Sequence, residues 1–238
     1  MPFSIDDFLG GLVKLKQFDN GYKATSDAVL LASAVSAKPG ETVLDVGIGT
    51  GAVSLCLMAR VPNLQVTGID IHEDMLRQAK ENASLNHQKI QLILGSVQNP
   101  PEELSGKTFN HVVTNPPYFS ETLERIEKTR AIAHKQEVPL SEWLDFCLKK
   151  VQPKGTLTLI HRTECLPEIL KILEGRLGSL VVVPFWPKAG KLPKRILVQG
   201  VLGSKTPFTL HTGFIIHNDD NTRTEKMEEI MRKGKALF

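Results

Sequence analysis

The sequence has no long apolar run, no basic leader and no even set of cysteines. A membrane-spanning helix needs roughly 18–20 apolar residues, whereas the longest apolar runs, such as residues 180–186, have the length of a strand. The N-terminal segment carries Asp6 and Asp7 where a secretory signal carries basic residues. The three cysteines are widely spaced and odd in number, which argues against a disulfide framework and for the reducing cytoplasm. These absences exclude a membrane protein, a secreted scaffold and a zinc ribbon.

Histidine spacing typical of metal sites is missing as well. None of the seven histidines pairs with another at metal-ligand spacing, so we expect no metal.

Charge is almost balanced, with 29 basic and 26 acidic residues and a net charge of +3. Acidic residues are nevertheless absent from Gly175 to Asn218, where only basic charges remain. This stretch is either a solvated face or a surface that binds a polyanion such as RNA, because clustered Lys and Arg neutralise phosphates.

Short β-rich runs alternate with helical patterns from residue 42 onwards, which predicts an α/β fold. The predicted strands are Thr42–Val46, Gln65–Asp70, Ile90–Leu94, His111–Thr114, Gly155–His161, Leu180–Phe185 and Arg195–Leu202. The predicted helices are Thr50–Arg60, Glu73–Leu85, Ser141–Val151 (with Trp143 in the core) and Thr163–Leu173. Seven strands with helices between the first five form a doubly wound, mostly parallel, Rossmann-like sheet.

Two terminal segments lie outside this core. The first is predicted to contain a strand, a turn and a helix: Leu12–Gln17, Asp19-Asn20-Gly21 and a helix capped near Ser26 or Asp27. The second is predicted to contain a hairpin of Phe208–Leu210 and Phe214–Ile216, followed by a charged helical tail, Thr222–Lys235. We therefore expect one domain, 1–238, composed of an N-terminal segment (10–38), a core (39–205) and a C-terminal hairpin and tail (206–238).

The strongest functional pattern is a glycine turn after the first predicted strand, Val43-Leu-Asp-Val-Gly-Ile-Gly-Thr-Gly51. Gly47, Gly49 and Gly51 let the backbone approach a ligand at the carboxyl edge of the sheet. The dinucleotide spacing Gly-x-Gly-x-x-Gly is absent, and no Gly-Lys-Ser/Thr follows for a nucleoside triphosphate. Asp45 would repel a pyrophosphate but attract an ammonium or sulfonium group. The turn therefore indicates a positively charged nucleoside, which points to S-adenosylmethionine.

A second acidic residue, Asp70, ends the next predicted strand. A carboxylate at this position can accept hydrogen bonds from both ribose hydroxyls of a nucleoside. Its alternative role is to cap the helix that follows. Ile71, the next residue, is placed to pack against the adenine face.

The third pattern is Thr114-Asn-Pro-Pro-Tyr-Phe119, directly after the fourth predicted strand. The two prolines stiffen the turn and leave the Asn115 side-chain oxygen and the Pro116 carbonyl as acceptors. An amine on a heteroaromatic ring is a poor nucleophile because its lone pair is delocalised. If both of its N–H groups are accepted by these oxygens, the lone pair turns toward an electrophile, while Tyr118 stacks on the planar ring.

With these three motifs the chain resembles the S-adenosylmethionine-dependent class I methyltransferases of the Asn-Pro-Pro-Tyr type. These enzymes methylate adenine N6, cytosine N4, guanine N2 or glutamine N5. The resemblance covers nearly all of residues 10–205 and implies a seven-stranded sheet whose last strand is antiparallel. More narrowly, residues 21–31 and 194–199 are similar to bacterial adenine-N6 methyltransferases that act beside the anticodon of a valine tRNA.

The resemblance also implies further cofactor contacts. The N-terminal segment would close over the methionine end of the cofactor through Tyr22, Lys23, Thr25 and Asp27. Members of this family commonly place an acid after the third strand to accept the adenine amine. This sequence has Leu94-Gly-Ser96-Val97 there, so Ser96 and Val97 are the candidates.

Together these patterns predict an adenine-N6 RNA methyltransferase, most closely a tRNA enzyme, that acts as a cytoplasmic monomer. Its predicted RNA contacts are Lys188, Lys191, Lys194 and Arg195, although Arg195 begins a predicted strand and has an internal ion pair as its alternative. A glutamine-N5 methyltransferase of a release factor is less favoured, since such enzymes carry a helical domain before the glycine turn and this sequence leaves little room for one. Guanine N2, cytosine N4 and a non-catalytic RNA-binding module stay as alternatives.

Overall fold

The computed structural model describes residues 3–18, 23–117 and 138–238. The predicted turn Asp19-Asn20-Gly21, Tyr22 and Tyr118 lie outside these ranges. The strands are β1 (Phe3–Phe8), β2 (Val13–Phe18), β3 (Thr42–Val46), β4 (Gln65–Asp70), β5 (Ile90–Leu94), β6 (Phe109–Thr114), β7 (Val151–Arg162), β8 (Leu177–Trp186), β9 (Arg195–Leu202), β10 (Thr209–Leu210) and β11 (Phe214–Ile215). The helices are α1 (Ser26–Ala34), α2 (Ala52–Arg60), α3 (Glu73–Leu85), α4 (Leu140–Lys150), α5 (Leu166–Leu173) and α6 (Glu225–Lys233). Within the described ranges, no helix is long and apolar enough to span a membrane.

In the described part of the chain, the central sheet has nine strands, two more than predicted: seven lie in the order β8-β9-β7-β6-β3-β4-β5, and the short β10 and β11 pair with the outer edge of β8. Neighbouring strands are parallel except at β9, which runs antiparallel to both β7 and β8. The chain enters the sheet at β3, winds outward to β5, and then returns to β6 on the other side of β3. This reversal opens a crevice at the carboxyl ends of β3 and β6. The predicted doubly wound α/β fold and its antiparallel last strand are confirmed.

Apolar residues cover both faces of this sheet. Val43 and Val113 pack into one buried cluster with α1 and α2, whereas Leu44 and Val112, their neighbours in sequence, pack into a second cluster with α4 and α5. Successive side chains of a strand point to opposite faces, so consecutive apolar residues bury both faces under helices. The sheet is thus held rigid at its centre, where β3 and β6 end.

The predicted C-terminal hairpin is wrong, because its two segments pair with β8 and not with each other. β10 lies beside Val181 and Val182, and β11 lies beside Phe185 and Trp186, both in the parallel direction. Pro184 lies between these two pairings and has no N–H to donate, so the edge strand is interrupted there. The chain therefore continues along the edge of the sheet in one direction, without a reversal.

Two predicted helices also differ in detail. α4 begins at Leu140 with Pro139 at its N-cap, one residue before the predicted start at Ser141. The helix predicted from Thr163 begins as a 3-10 turn and becomes α5 only at Leu166.

Between β5 and β6 the chain forms only a 3-10 turn, Glu102–Leu104, so the prediction of a helix between each of the first five strands is wrong at this connection. Prolines and glycines on either side of that turn prevent a longer helix.

The N-terminal segment forms a two-stranded hairpin, of which only β2 was predicted. The free edge of β2 is bonded by side-chain amides of α3 and its C-cap residue, which we call the amide ladder: Gln78, Asn82 and Asn86. Asn86 accepts from the Lys14 N–H and donates to the Lys14 carbonyl, and Asn82 does the same with Lys16. Asn82 also donates to the Thr50 carbonyl at 2.9 Å, which links the hairpin to the glycine turn.

The predicted helical tail is confirmed as α6, and it packs against the body of the protein. Met227 and Ile230 are fully buried with α1 in the first apolar cluster. The Leu237 N–H donates to the Ser33 carbonyl of α1 at 2.8 Å. The charged residues of α6 therefore form the outer face of an amphipathic helix.

An ion pair at the amino edge of the sheet carries a pH dependence. Glu41→Gln is expected to flatten the fall in the free energy of unfolding as the pH drops from above to below the usual pKa of a glutamate, 4.5. Burial raises the pKa of Glu41, but hydrogen bonds from His111, at 2.8 Å, and from the Lys38 N–H outweigh it and lower the pKa below the usual 4.5. A carboxyl whose pKa falls on folding stabilises the fold above its unfolded-state pKa, and that contribution is lost as pH drops through the lowered value.

Urea unfolding of wild type and variant across this pH range measures the difference. Glu103→Gln, which removes an exposed carboxylate, is the control and is expected to keep the wild-type slope. Equal slopes in all three proteins would show that the Glu41 pair contributes no pH dependence.

Candidate active site

The glycine turn at the end of β3 depends on left-handed backbone at three positions. Gly47, Gly49 and Gly51 have φ of 74°, 54° and 85°, a region that side chains with a Cβ disfavour. The N–H groups of Gly47 and Ile48 both donate to the Ile69 carbonyl, at 2.9 and 3.1 Å, which fixes the turn against β4. Gly51 then begins α2 as its N-cap. The sequence pattern predicted this turn, and the structure places it at the carboxyl edge of the sheet.

Asp70 joins the glycine turn to the start of α3. Its Oδ2 accepts from the Gly49 N–H at 2.9 Å, and its Oδ1 accepts from the His72 N–H at 2.9 Å. His72, and not Asp70, is the N-cap residue of α3. Each carboxylate oxygen can accept more than one hydrogen bond, so the half-buried Asp70 retains capacity for ribose hydroxyls. The neighbouring Ile71 is 59% exposed, which leaves an apolar surface beside the carboxylate.

Asp45 lies beneath the turn and not on its surface. The side chain is buried, and Oδ2 accepts from the Ser54 hydroxyl of α2 at 2.7 Å. The pKa of Asp45 is raised to about 7, chiefly by burial and also by the negative charge of Asp70, while hydrogen bonds from Ser54 oppose the rise. A bound cation would relieve the repulsion between the two carboxyl groups, which agrees with the expected sulfonium or ammonium charge.

The Asn-Pro-Pro turn is fastened directly to the glycine turn. The Thr114 hydroxyl, at the end of β6, donates to the Val46 carbonyl at 2.8 Å and accepts from the Trp143 indole N–H at 2.9 Å. The Trp143 ring also lies against Gly47, where a Cβ would come within 2.9 Å of it. The sequence placed Trp143 in the core and missed this role. A tryptophan on an apolar helix face needs a partner for its N–H, and that requirement was the available signal.

Asn115 and Pro116 follow Thr114 at this edge. Asn115 is half-buried and Pro116 is buried. A cavity of about 340 Å³ opens beside the two prolines, lined by Pro116, Pro117, Val138, Pro139, Leu140, Trp143, His161, Cys165 and Glu168. Its size and largely apolar lining suit a planar organic group.

His161 lines this cavity and was not selected from the sequence. Burial lowers its pKa to about 4, and the charge of Arg162 contributes in the same direction. The imidazole is therefore neutral at neutral pH. Its Nδ1 accepts from the Arg162 N–H at 2.9 Å, so the ring proton is on Nε2. The cavity is thus lined by a neutral imidazole and carries no positive charge from this histidine.

The candidate residues of the N-terminal segment have structural contacts of their own. Thr25 is the N-cap of α1, and its hydroxyl accepts from the Asp27 N–H at 3.3 Å. Asp27 is buried and accepts from Arg195 Nε at 2.7 Å. This is the internal ion pair that the sequence analysis gave as the alternative for Arg195. It joins a residue predicted to contact RNA, Arg195, to one predicted to contact the cofactor, Asp27. Lys23 is exposed beside them.

The remaining cofactor candidates lie after β5. The Ser96 hydroxyl accepts from the Gln98 N–H at 3.1 Å, and Val97 packs, partly buried, against the same cluster as Trp143. The Gly95 N–H donates to the Asp70 carbonyl at 3.0 Å. Ser96 and Val97 thus lie near the end of β4, on the side of Asp70 expected for an adenine.

The basic candidates lie in the loop between β8 and β9, residues 187–194. Lys188 Nζ donates to the Asp219 carbonyl at 2.8 Å, which ties it to the turn after the acid-free stretch. Lys191 and Lys194 are exposed and form no ion pair with a described residue. Because β8 is parallel to β6 and β9 is antiparallel, this loop lies at the same sheet edge as Asn115.

Fold and site together define a class I methyltransferase dependent on S-adenosylmethionine. A solved structure described as a predicted O-methyltransferase, protein Atu636 from Agrobacterium tumefaciens, matches the fold with a TM-score of 0.72 at 24% identity, covering 89% of this chain and 98% of that chain. The family model described as "Methyltransferase small domain" matches residues 16–142, and the chain belongs to that family.

Two curated relatives bear the name tRNA1(Val) (adenine(37)-N6)-methyltransferase. The protein from Glaesserella parasuis serovar 5 is 27% identical over 74% of this chain and 75% of its own length. The protein from Haemophilus influenzae strain PittGG is 26% identical over 91% of this chain and 92% of its own length. The similarity therefore extends beyond the residues matched by the family model.

Proposed function

We propose that this protein transfers a methyl group from S-adenosylmethionine to N6 of an adenine in tRNA, beside the anticodon. The observation that carries the proposal is the joining of the Asn-Pro-Pro turn to the glycine turn through Thr114 and Trp143. An amine acceptor at Asn115 and a nucleoside cofactor at Gly47 would thereby be held in a fixed relation. The names of the relatives support adenine in tRNA as the substrate.

The cofactor residues fit S-adenosylmethionine by charge and by shape. Asp70 supplies negative charge at the edge of the site, a bound cation would favour the ionised form of Asp45 beneath the turn, and the sequence from Asp45 to Gly51 contains no basic residue for a phosphate. Asp70 would accept ribose hydroxyls, Ile71 would cover the adenine ring, and Ser96 would accept the adenine amine. When bound, S-adenosylmethionine supplies an electrophilic methyl group on a sulfonium.

The role of the chain in catalysis is to orient the nucleophile. The Asn115 side-chain oxygen and the Pro116 carbonyl would accept the two N–H groups of the exocyclic amine, so that its lone pair points at the methyl group. Such positioning converts a reaction between two molecules into one within a complex. Tyr118 would stack on the base, and Tyr22, Lys23, Thr25 and Asp27 would close the methionine end of the site.

The proposed enzyme is one domain, 1–238, in which residues 10–38 close over the cofactor, 39–205 form the catalytic core and 206–238 form the C-terminal part. It would act as a monomer in the cytoplasm, where its tRNA is found.

Mass spectrometry of nucleosides from total tRNA, incubated with enzyme and labelled S-adenosylmethionine, tests the function. Label on N6-methyladenosine is expected. Label on N2-methylguanosine, on N4-methylcytidine or on a glutamine of an added release factor would overturn it.

The exposed lysines of the loop between β8 and β9 are the proposed RNA contacts. Replacing Lys191 and Lys194 together by alanine is expected to flatten the slope of log affinity against log salt by about 1.4–1.8, since each phosphate contact contributes roughly 0.7–0.9. The affinity for S-adenosylmethionine is expected to stay unchanged. Binding of labelled tRNA over a series of salt concentrations measures the slope.

The matched control is Lys107→Ala with Lys154→Ala, two exposed lysines at the opposite edge of the sheet. This control is expected to keep the wild-type slope. If the variant with both Lys191 and Lys194 replaced had the same salt dependence of tRNA affinity as wild type, these lysines would belong to a solvated face and would not contact RNA.

A further inference from the structure

Leu192 stands out on the surface, in the loop between β8 and β9. Its side chain is 84% exposed, which is the largest exposed fraction of any bulky apolar side chain in the described ranges. Exposed lysines, Lys191 and Lys194, lie on either side of it in the chain. A polyanion with apolar surface between its charges would complement this arrangement. An RNA loop has both, in its phosphates and its stacked bases.

The loop that carries Leu192 is held in place at its base. The Thr163 hydroxyl donates to the Pro193 carbonyl at 2.9 Å, and the Lys191 N–H donates to the Lys188 carbonyl at 3.2 Å. Proline at positions 187 and 193 restricts the backbone further. Leu192 is therefore exposed on a constrained turn, where little backbone entropy is lost on binding.

The same anchor places the loop next to the candidate active site. Thr163 lies two residues from both His161 and Cys165, and these two residues line the cavity beside Pro116. A base that enters this cavity must leave its stack. The neighbouring bases then lose a stacking partner, and an apolar side chain between them replaces the lost contact.

We propose that Leu192 inserts between the neighbours of the target nucleotide and keeps that nucleotide out of the base stack. The proposal rests on the proposed RNA substrate. Lys191 and Lys194 hold the backbone on both sides of the leucine, while the base occupies the cavity. Leu192 is thus a positioning residue, which acts on the availability of the base and not on the methyl transfer itself.

The test uses an anticodon stem-loop RNA and the variants Leu192→Ser and Leu192→Met. With adenine at the target position, Leu192→Ser is expected to lower the single-turnover rate about tenfold, because the stacking lost by the neighbouring bases is no longer replaced. Leu192→Met retains an apolar side chain and is expected to stay near wild type. With 2-aminopurine at that position, bound wild-type protein is expected to raise the fluorescence, and bound Leu192→Ser to raise it much less.

Two further comparisons isolate the insertion. Leu210→Ser removes another exposed leucine, 66% exposed on β10, and is expected to behave as wild type. An RNA with abasic neighbours has no stack to replace, so wild type and Leu192→Ser are expected to methylate it equally. Wild-type rate and fluorescence in Leu192→Ser would overturn the insertion and leave the proposed function intact. If wild type itself transferred no methyl group to adenine, both proposals would fail.

Discussion

Asn115→Ala is expected to lower the single-turnover rate of methyl transfer about 10²–10³-fold, the usual loss when one preorganised polar contact to a reacting group is removed. The side chain is held at the end of β6, where Thr114 bonds both the backbone of β3 and the Trp143 indole. Its removal is therefore expected to affect the orientation of the amine and not the cofactor pocket. The affinity for S-adenosylmethionine, measured by calorimetry, is expected to stay near wild type.

The matched control for this variant is Asn99→Ala, which removes an exposed carboxamide after β5. Its rate is expected to equal that of wild type. If Asn115→Ala retained more than half of the wild-type rate, its proposed role as the amine acceptor would be wrong. A loss of cofactor affinity as large as the loss of rate would instead assign Asn115 to the cofactor pocket.

Asp70→Ala is expected to weaken the binding of S-adenosylmethionine by about 1–3 kcal/mol, the scale for losing hydrogen bonds to a charged acceptor. Two effects contribute. The ribose hydroxyls lose their proposed acceptor, and the Gly49 N–H loses a partner that holds the turn in place. Calorimetric titration with the cofactor measures the change, and thermal unfolding tests that the fold survives.

Asp74→Ala is the control for Asp70, because it removes an exposed carboxylate from the first turn of α3 that bonds only Arg77 among the contacts seen in the structure. Its cofactor affinity is expected to match that of wild type. An unchanged dissociation constant in Asp70→Ala would remove Asp70 from the site.

Much of the fold was predictable because the central strands are short, apolar and followed by turn residues. The ends of β3, β4 and β6 carry the glycine turn, Asp70 and Asn115, and parallel strands bring their carboxyl ends to one edge. The fold class and the methyltransferase assignment are confirmed. Local pattern was enough for these features.

Other features depend on contacts between distant parts of the chain. The ion pair of Asp27 and Arg195 joins residues 168 positions apart, and no local pattern indicates it. The indole of Trp143 reaches Thr114 only because α4 packs across the end of β6. β10 and β11 are predicted as a hairpin from their local pattern, whereas both pair with the edge of β8, on either side of Pro184. Such partners emerge only when the sheet is assembled.

The amide ladder fixes the register of β2 against helix α3. Two residues of an extended strand advance about 6.8 Å, whereas four residues of a helix advance about 6 Å. The two advances differ by only about 0.8 Å, so one step of the helix matches one step of the strand, from Asn86 at Lys14 to Asn82 at Lys16. The next amide, Gln78, does not continue the series and also bonds the Lys16 carbonyl.

This match between strand and helix limits how the hairpin can change. An inserted residue between Lys14 and Lys16 would turn one set of backbone groups away from α3, because the bonding groups of a strand alternate in direction. The same helix starts beside Asp70, so the amide ladder links the position of β2 to the residue proposed to hold the ribose. Changes in length are thus expected to be tolerated in the connection after α3 but not in β2.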